Sequence, residues 1–320
     1  MRTLLIDGNN LLYRTFWAAN YKAKNQDPGN IAATYIFLRT LKSYADKFSP
    51  WDKIYCAWDK RLAYPEGNFR SEICDTEYKG GRGDVKFKNV FDSLETIIPL
   101  IEELGICNFY PHRMEADDVI SWLSGEIEGE KIIITTDKDM LQLINEDISV
   151  FNTNTKSIIN LENFEDVTNI DTPRNYLMFK CFTGDKSDNI PGIPKVGIKT
   201  FLKLTKDWDY NLDNVDINKD QRLIVERNKR LMDLKYGFNY YEDETISYRA
   251  QYYSSRDGVG ANDKKPNYDK FTTKCREGGL KSIYENINQW KDTFTPKKNN
   301  ILNCINNIKE RYYNDEHQSS

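Results

Sequence analysis

The chain has little of what nitrogen- and sulfur-ligated metal proteins require. Only two histidines, His112 and His317, occur in 320 residues, and the six cysteines form no C-x-x-C pair. A zinc site is therefore not expected, and unpaired thiols suit a reducing compartment. No apolar run approaches the ~18 residues that a membrane span needs. The opening MRTLLIDGNN starts as a signal sequence does, yet Asp7 ends the apolar run early and no small-residue cleavage site follows. A soluble cytoplasmic protein is expected. Positive charge is not in excess, with 45 Lys+Arg against 49 Asp+Glu. That argues against a histone-like polycation. It leaves open a nucleic-acid enzyme whose acidic site and basic surface offset each other. No internal repeat is found, and no glycine-rich phosphate-binding fingerprint follows the first strand, so a phosphatase or nucleotide-binding α/β fold has no support.

What the sequence does contain is an alternation of strand and helix. TLLID (3–7) is a short apolar run followed by Gly8-Asn9-Asn10, a turn and cap signal. Apolar residues at helical spacing follow from Ile31 to Phe48. KIYCAWD (53–59) predicts a second strand, and 60–85 a long exposed loop. Phe87–Leu104 predicts one amphipathic helix, stopped at Gly105. ICNFY (106–110) predicts the third strand, and EADDVISWL (115–123) opens the next helix. KIIITTD (131–137) is almost continuously apolar, as strands buried on both faces are. The alternation predicts a doubly wound α/β core. Beyond 150 the pattern changes to a hairpin around 152–156, then helices over 173–183, 195–204 and 222–232. A weakly periodic stretch covers 235–268, a helix–turn–helix covers 271–290, and a polar tail from 293 contains one amphipathic helix at 301–308.

The carboxylates sort onto these elements. Asp7 and Asp59 end strands one and two, and Glu115, Asp117 and Asp118 begin the helix after strand three. Asp137 ends strand four, and Asp139 follows it. In open parallel sheets the C-terminal strand ends line a common crevice. Acids crowded there repel and raise one another's pKa. A divalent cation relieves this, and oxygen-only ligands suit Mg²⁺ or Mn²⁺. Any one of these acids is equally well a helix N-cap, but four segments in succession are not. A further pair, Asp185 and Asp188, precedes the Gly/Pro turn of GDKSDNIPGIPKVGIKTF (184–201). Such a turn before a helix offers backbone N–H groups to a phosphate, and Lys195 and Lys199 add charge. In the loop, Arg70, Lys79 and Arg82 can stabilise charge on a phosphoryl group, and Tyr78 can stack on a base. Taken alone, that run is equally a solvated loop.

Together LIDGNNLLYR, WDKR…FR…YKGGR, EADD, TTDKDM and GDKSDNIPGIPKVGIKT resemble the 5′-nuclease superfamily over roughly residues 3–204. This superfamily comprises flap endonucleases, phage 5′-3′ exonucleases and RNase H proteins, and the polymerase I 5′-nuclease domain. The resemblance implies a PIN-like parallel twisted sheet with flanking helices and a loop or arch at 60–85, all within 1–160. It implies a helical DNA-binding subdomain over 161–292, with a helix–three-turn–helix at 184–204, and leaves 293–320 as a tail. It implies two Mg²⁺ or Mn²⁺ ions, the first held by Asp7, Asp59, Glu115 and Asp117. The second is surrounded by Asp137, Asp139, Asp185 and Asp188, with Asp118 acting through water or from behind the ligands. Lys79 and Arg82 contact the scissile phosphate. Arg14, Arg70, Tyr78, Gly192, Lys195, Gly197 and Lys199 are the expected DNA contacts, with a K⁺ on the carbonyls of 189–197.

The resemblance implies a monomeric, structure-selective 5′-3′ exonuclease or flap endonuclease. It would act on DNA with a 5′ flap, or on RNA–DNA hybrid, and leave 5′-phosphate and 3′-hydroxyl ends. A single-strand-binding protein or a polymerase is an expected partner, and the Asn/Lys/Tyr-rich composition suggests a phage source. Two departures stand out. Lys138 sits between Asp137 and Asp139, where relatives often carry a small residue, and the tail lacks the glutamine-led clamp-binding box. The rival readings are a PIN-type ribonuclease and an inactive DNA-binding scaffold of the same fold.

Overall fold

In the computed structural model, residues 1–22, 29–59, 69–74, 76–80, 88–109, 114–236 and 265–295 are described. The core is one sheet. Strands β1 (Arg2–Asp7), β2 (Lys53–Ala57), β3 (Cys107–Phe109), β4 (Glu130–Thr135), β5 (Ile148–Asn152) and β6 (Ser157–Ile159) stand in the order β3-β2-β1-β4-β5-β6. The first five run parallel, and β6 closes an antiparallel hairpin on β5 through the turn at 153–156. The chain leaves β1 to one side for β2 and β3 and returns to its other side for β4. The strand order therefore reverses between β1 and β4, which is where open α/β sheets place ligands.

The period-2 alternation of a strand explains why these strands read as unbroken apolar runs. Leu4 and Ile6 of β1 and Ile132 and Ile134 of β4 enter one core, while Leu5 and Ile133 enter the other. Helices α1 (Gly8–Lys22), α2 (Gly29–Lys47) and α4 (Leu94–Glu103) cover the first face. The second face is covered by α5 (Ala116–Glu126), α7 (Pro173–Thr183), α8 (Ile198–Leu204) and α9 (Lys219–Met232). Short helices α3 (Phe69–Ile73) and α6 (Phe164–Thr168) complete the set in this region.

Three expectations change. The stretch expected as one helix over 87–104 splits into a 3₁₀ turn, Lys88–Ser93, and α4. Asn89, Asp92 and Ser93 are weak helix formers that compete for backbone hydrogen bonds, so the first turns tighten. The helix expected from Lys195 begins at Ile198, because Lys195 has φ +66° and extended Gly197 stands at the N-cap. The C-terminal segment forms three helices, α10 (Tyr268–Glu277), α11 (Lys281–Tyr284) and α12 (Ile287–Phe294). Phe271, Ile283, Trp290 and Phe294 bury themselves in the α1/α2 core. Residues 265–295 thus pack across the sheet from 161–236, with which the sequence grouped them. Most of the loop at 60–85, the 237–264 stretch and the tail from 296 lie outside the described residues.

Candidate active site

The acids meet where the strands end. Asp7 is the last residue of β1 and is 5 % exposed. It accepts the Asn10 backbone N–H at 2.9 Å and the Thr135 hydroxyl at 2.8 Å. Gly8 follows because the chain turns into α1 against Trp58, where a Cβ would lie 2.6 Å from the indole. Asp59, exposed just past β2, accepts the Ala116 N–H at 2.8 Å and the Asn9 amide at 3.0 Å. It thereby ties the start of α5 to the end of β2. Asp137 caps the 3₁₀ turn Lys138–Leu143 by accepting the Asp139 N–H at 2.8 Å. Capping is real for these residues, then, and coexists with their gathering at one edge.

Charge is unevenly balanced across the site. Burial, and then the fields of Asp59 and Asp137, push the Asp7 carboxyl up to about 7 despite its two donors. Burial, followed by Asp137, Asp7 and Asp59, holds Asp117 well above the usual carboxylate range. Asp139 is pushed up to about 6, chiefly by burial and partly offset by Lys180. Glu115 and Asp185 go the other way. Burial alone would raise Glu115, but Arg70 and Lys79 bring it below its ordinary value. Asp185 falls to about 2 because Lys180 and Ser187 outweigh its burial.

The cations are as ordered as the acids. Lys79 pairs with Glu115, and Tyr78 donates to Glu115 at 3.0 Å. Segment 76–80 is clipped to the 188–189 turn. The Lys79 N–H meets the Asp188 carbonyl at 3.0 Å, the Thr76 hydroxyl the Asn189 carbonyl at 2.7 Å, and the Asn189 amide the Glu77 carbonyl at 3.0 Å. Lys79 itself adopts φ +60°, a costly backbone for a lysine, and those clips hold it there. Lys180, on α7, pairs with Asp139 and lies 2.7 Å from Asp185.

Arg70 differs from expectation. Arg70 was expected at the DNA, but it is buried, 2 % exposed, and its guanidinium grips both oxygens of fully buried Asp118 at 2.7 and 2.6 Å. Its Nε donates to the Leu231 carbonyl at 2.8 Å. A guanidinium so enclosed is a structural anchor for α5 and α9, which corrects the surface role. Asp118 also accepts the Glu115 N–H at 2.9 Å as half of a capping box.

The hairpin that follows is built by close approach. Strands β7 (Gly184–Asp185) and β8 (Ile190–Pro191) pair antiparallel. Gly192 passes so near the end of α7 that a Cβ would lie 2.1 Å from the Thr183 carbonyl carbon. Lys195 and Lys199 are exposed beyond it, and Gly197 caps α8. Asn228, fully buried on α9, donates to the Cys181 carbonyl at 2.8 Å and the Pro191 carbonyl at 3.0 Å. Arg227 reaches the same Pro191 oxygen at 2.8 Å. Arg14, on α1, bonds Thr153 at 3.0 Å and also Asn154. Arg82 and His112 lie outside the described residues. Lys138 is exposed.

Lys180, Asn9, Asn10, Thr135 and Asn228 were not singled out as site residues. Asn9, Asn10 and Thr135 stand within quoted motifs, and Lys180 and Asn228 carry no spacing signal. Lys180 reaches Asp185 only because α7 ends and the chain folds back.

The donor set, all carboxylate oxygen with several members raised by burial and mutual repulsion, fits hard divalent cations. Among the described residues no three such side chains converge as closely as a bound ion requires. As they stand, Lys79 and Lys180 neutralise part of the cluster.

The profile of the 5′-3′ exonuclease N-terminal resolvase-like domain matches residues 2–169. The chain is 33 % identical over 253 residues to a 5′-3′ exonuclease of Buchnera aphidicola, covering 77 % of this chain and 84 % of that protein. It is also 33 % identical over 236 residues to DNA polymerase I of Lactococcus lactis, covering 68 % of this chain but 25 % of the polymerase. In fold it is similar to the bacteriophage T5 flap endonuclease solved with DNA and metal ions. The TM-score is 0.60 at 21 % identity, over 88 % of this chain and 100 % of that one. With the acid-lined strand ends, these matches identify a nuclease, and the chain belongs to the 5′-3′ exonuclease family.

Proposed function

We propose that this chain is a structure-selective 5′ nuclease, cutting DNA, and RNA primers on DNA, at a 5′ single-stranded end or flap during replication or repair. The observation that carries this reading is the convergence of Asp7, Asp59, Glu115, Asp117, Asp137 and Asp139 at one sheet edge, beside Lys79. Asp185 and Asp188 stand across the crevice on the hairpin. Asp7, Asp59, Glu115 and Asp117 would hold one divalent ion, Mg²⁺ or Mn²⁺. Asp137, Asp139, Asp185 and Asp188 would surround a second. Such ions supply a more acidic water and a counter-charge for the phosphate.

The chain's own groups do the rest. Lys79 would face the scissile phosphate, and it and Arg82 would neutralise charge that develops there. Tyr78 orients Glu115 and Lys79. Arg70 fixes Asp118, and through it the first turn of α5 that carries Asp117. The hairpin with Gly192, Lys195, Gly197 and Lys199 holds the duplex backbone independently of sequence, with K⁺ as a candidate ion on its carbonyls. The metal-bound and DNA-bound T5 relatives support divalent dependence and a DNA substrate. The polymerase I match supports a replication context. Among the described residues no helix is long and apolar enough to cross a membrane, which is compatible with a cytoplasmic monomer.

Asp59→Asn and Asp185→Asn test the assignment. Each should abolish cleavage of a flap substrate in Mg²⁺ and leave DNA affinity in chelator within a few-fold. Loss of binding together with cleavage would refute the catalytic assignment.

A further inference from the structure

Asn189, in the run SDNIPG, stands between Asp188 and the start of β8, exposed and with φ +59°. Asparagine visits that left-handed backbone more readily than other side chains do. Its amide reaches away from its own turn. The Nδ2 donates to the Glu77 carbonyl at 3.0 Å, 112 residues away in sequence. Its backbone carbonyl accepts the Thr76 hydroxyl at 2.7 Å. Glu77 and Gly80 close a turn, the Gly80 N–H meeting the Glu77 carbonyl at 2.9 Å, and Lys79 takes the left-handed position within it at φ +60°. That position suits glycine and is unfavourable for lysine. The Lys79 N–H completes the join at the Asp188 carbonyl, 3.0 Å away. Two left-handed residues thus face each other across three hydrogen bonds, one on the hairpin and one beside the acids.

Packing backs this join. Ile190 of β8 forms a small buried apolar cluster with Leu231 and Met232 of α9, and Ile73, Cys74 and Tyr78 pack against it. The Tyr78 hydroxyl, which donates to Glu115, also lies 3.4 Å from an Asp188 carboxylate oxygen. Further back, Arg70 is anchored on Asp118 and the Leu231 carbonyl. Of these two anchorages the one nearer Lys79 is the hairpin.

We infer that Asn189 is a positioning residue for phosphodiester cleavage, coupling the hairpin to the Lys79 backbone and so setting where the Lys79 ammonium stands beside Glu115. It acts through Lys79. The inference rests on the nuclease reading above.

The test uses Asn189→Gly/Thr76→Val in the full chain. Glycine keeps the positive φ and valine the branched shape of threonine, so both side-chain clips are lost without forcing the backbone to move. Single-turnover cleavage of a 5′-flap junction in Mg²⁺, with enzyme in excess, gives the rate of the cutting step. Junction affinity is measured separately in chelator. The double variant should cut about 10- to 100-fold more slowly at saturation, with affinity kept within a few-fold because the hairpin lysines are untouched. Lys79→Met alone should slow cutting by about 100-fold or more. Adding the two substitutions to Lys79→Met should then cost nothing further, because a side chain already removed cannot be misplaced. Thr76→Val alone, which leaves the Asn189 amide in place, should show a smaller loss that likewise vanishes in the Lys79→Met background. A saturating rate unchanged in the double variant overturns the inference. So do losses that multiply with that of Lys79→Met, which would mean general damage, and a loss confined to affinity, which would mean damage to the duplex hairpin. Absence of cutting by the wild-type chain itself is a different failure, and sinks the nuclease reading instead.

Discussion

Arg70→Met isolates the buried pair beneath the site. The substitution keeps apolar bulk but removes two charge-assisted hydrogen bonds to Asp118, one to the Leu231 carbonyl and the ion pair with Glu115 at 3.3 Å. Asp118, fully buried, is left with the Glu115 N–H and no counter-ion. A charge so stranded does not stay. A carboxyl of ordinary pKa near 3.9 can be protonated at pH 7 for about 4 kcal/mol, and this sets a ceiling on the cost. Breaking a buried pair typically costs about 3–5 kcal/mol, in agreement. The sign with pH follows. In the variant the cost lies with a buried negative charge that has lost its counter-ion, so acid relieves it. The deficit against the wild type should be large at pH 7 and shrink to about 1 kcal/mol near pH 4.5. Adding Asp118→Asn should recover a substantial part at pH 7, since no buried charge remains. Urea denaturation of the three chains at both pH values measures this. A deficit under about 1 kcal/mol at pH 7, or one independent of pH, refutes the reasoning.

Three further outcomes are expected. Asn228→Ala strands the buried Cys181 carbonyl and leaves Arg227 alone to hold the Pro191 carbonyl of β8. It should cost about 1–3 kcal/mol in urea unfolding and weaken duplex binding in chelator more than Lys203→Gln does. Gly192→Ala forces a Cβ into the Thr183 backbone. It should lower the melting temperature, and with it duplex affinity, where Gly125→Ala on an open helix surface lowers neither. In chelator, stability should fall as pH rises from about 4 to 7. The raised Asp7 carboxyl contributes below its unfolded value of 3.8 and loses that contribution through about 7, a span worth at most ~4 kcal/mol. Mg²⁺ should therefore raise the urea midpoint more at pH 8 than at pH 5, and equal increments at both would contradict the crowding of these acids.

The parallel core was legible because its strands are buried on both faces and each is followed by turn or cap residues. That the carboxylates of Asp7, Asp59 and Asp137 share one edge followed from the same pattern, since the C-terminal ends of parallel strands face one way. The counter-ions were not legible. Arg70 reads as a surface loop cation, yet its partners Asp118 and Leu231 are 48 and 161 residues away. Lys180 has no motif, and its role arises from the fold-back between α7 and β7. The packing of 265–295 on the far face was hidden for a related reason. Amphipathic helices announce a buried stripe but not the surface that covers it, and the segment before α10 gives no register.

The most direct measurement is cleavage of a 5′-labelled duplex carrying a single-stranded 5′ flap, in Mg²⁺ and in EDTA, with the product sized. Metal-dependent cutting near the junction between single strand and duplex, leaving a 5′-phosphate on the retained strand, is the predicted result. Salt-sensitive binding without cleavage of DNA or of an RNA–DNA hybrid would contradict it and leave a scaffold in place of an enzyme.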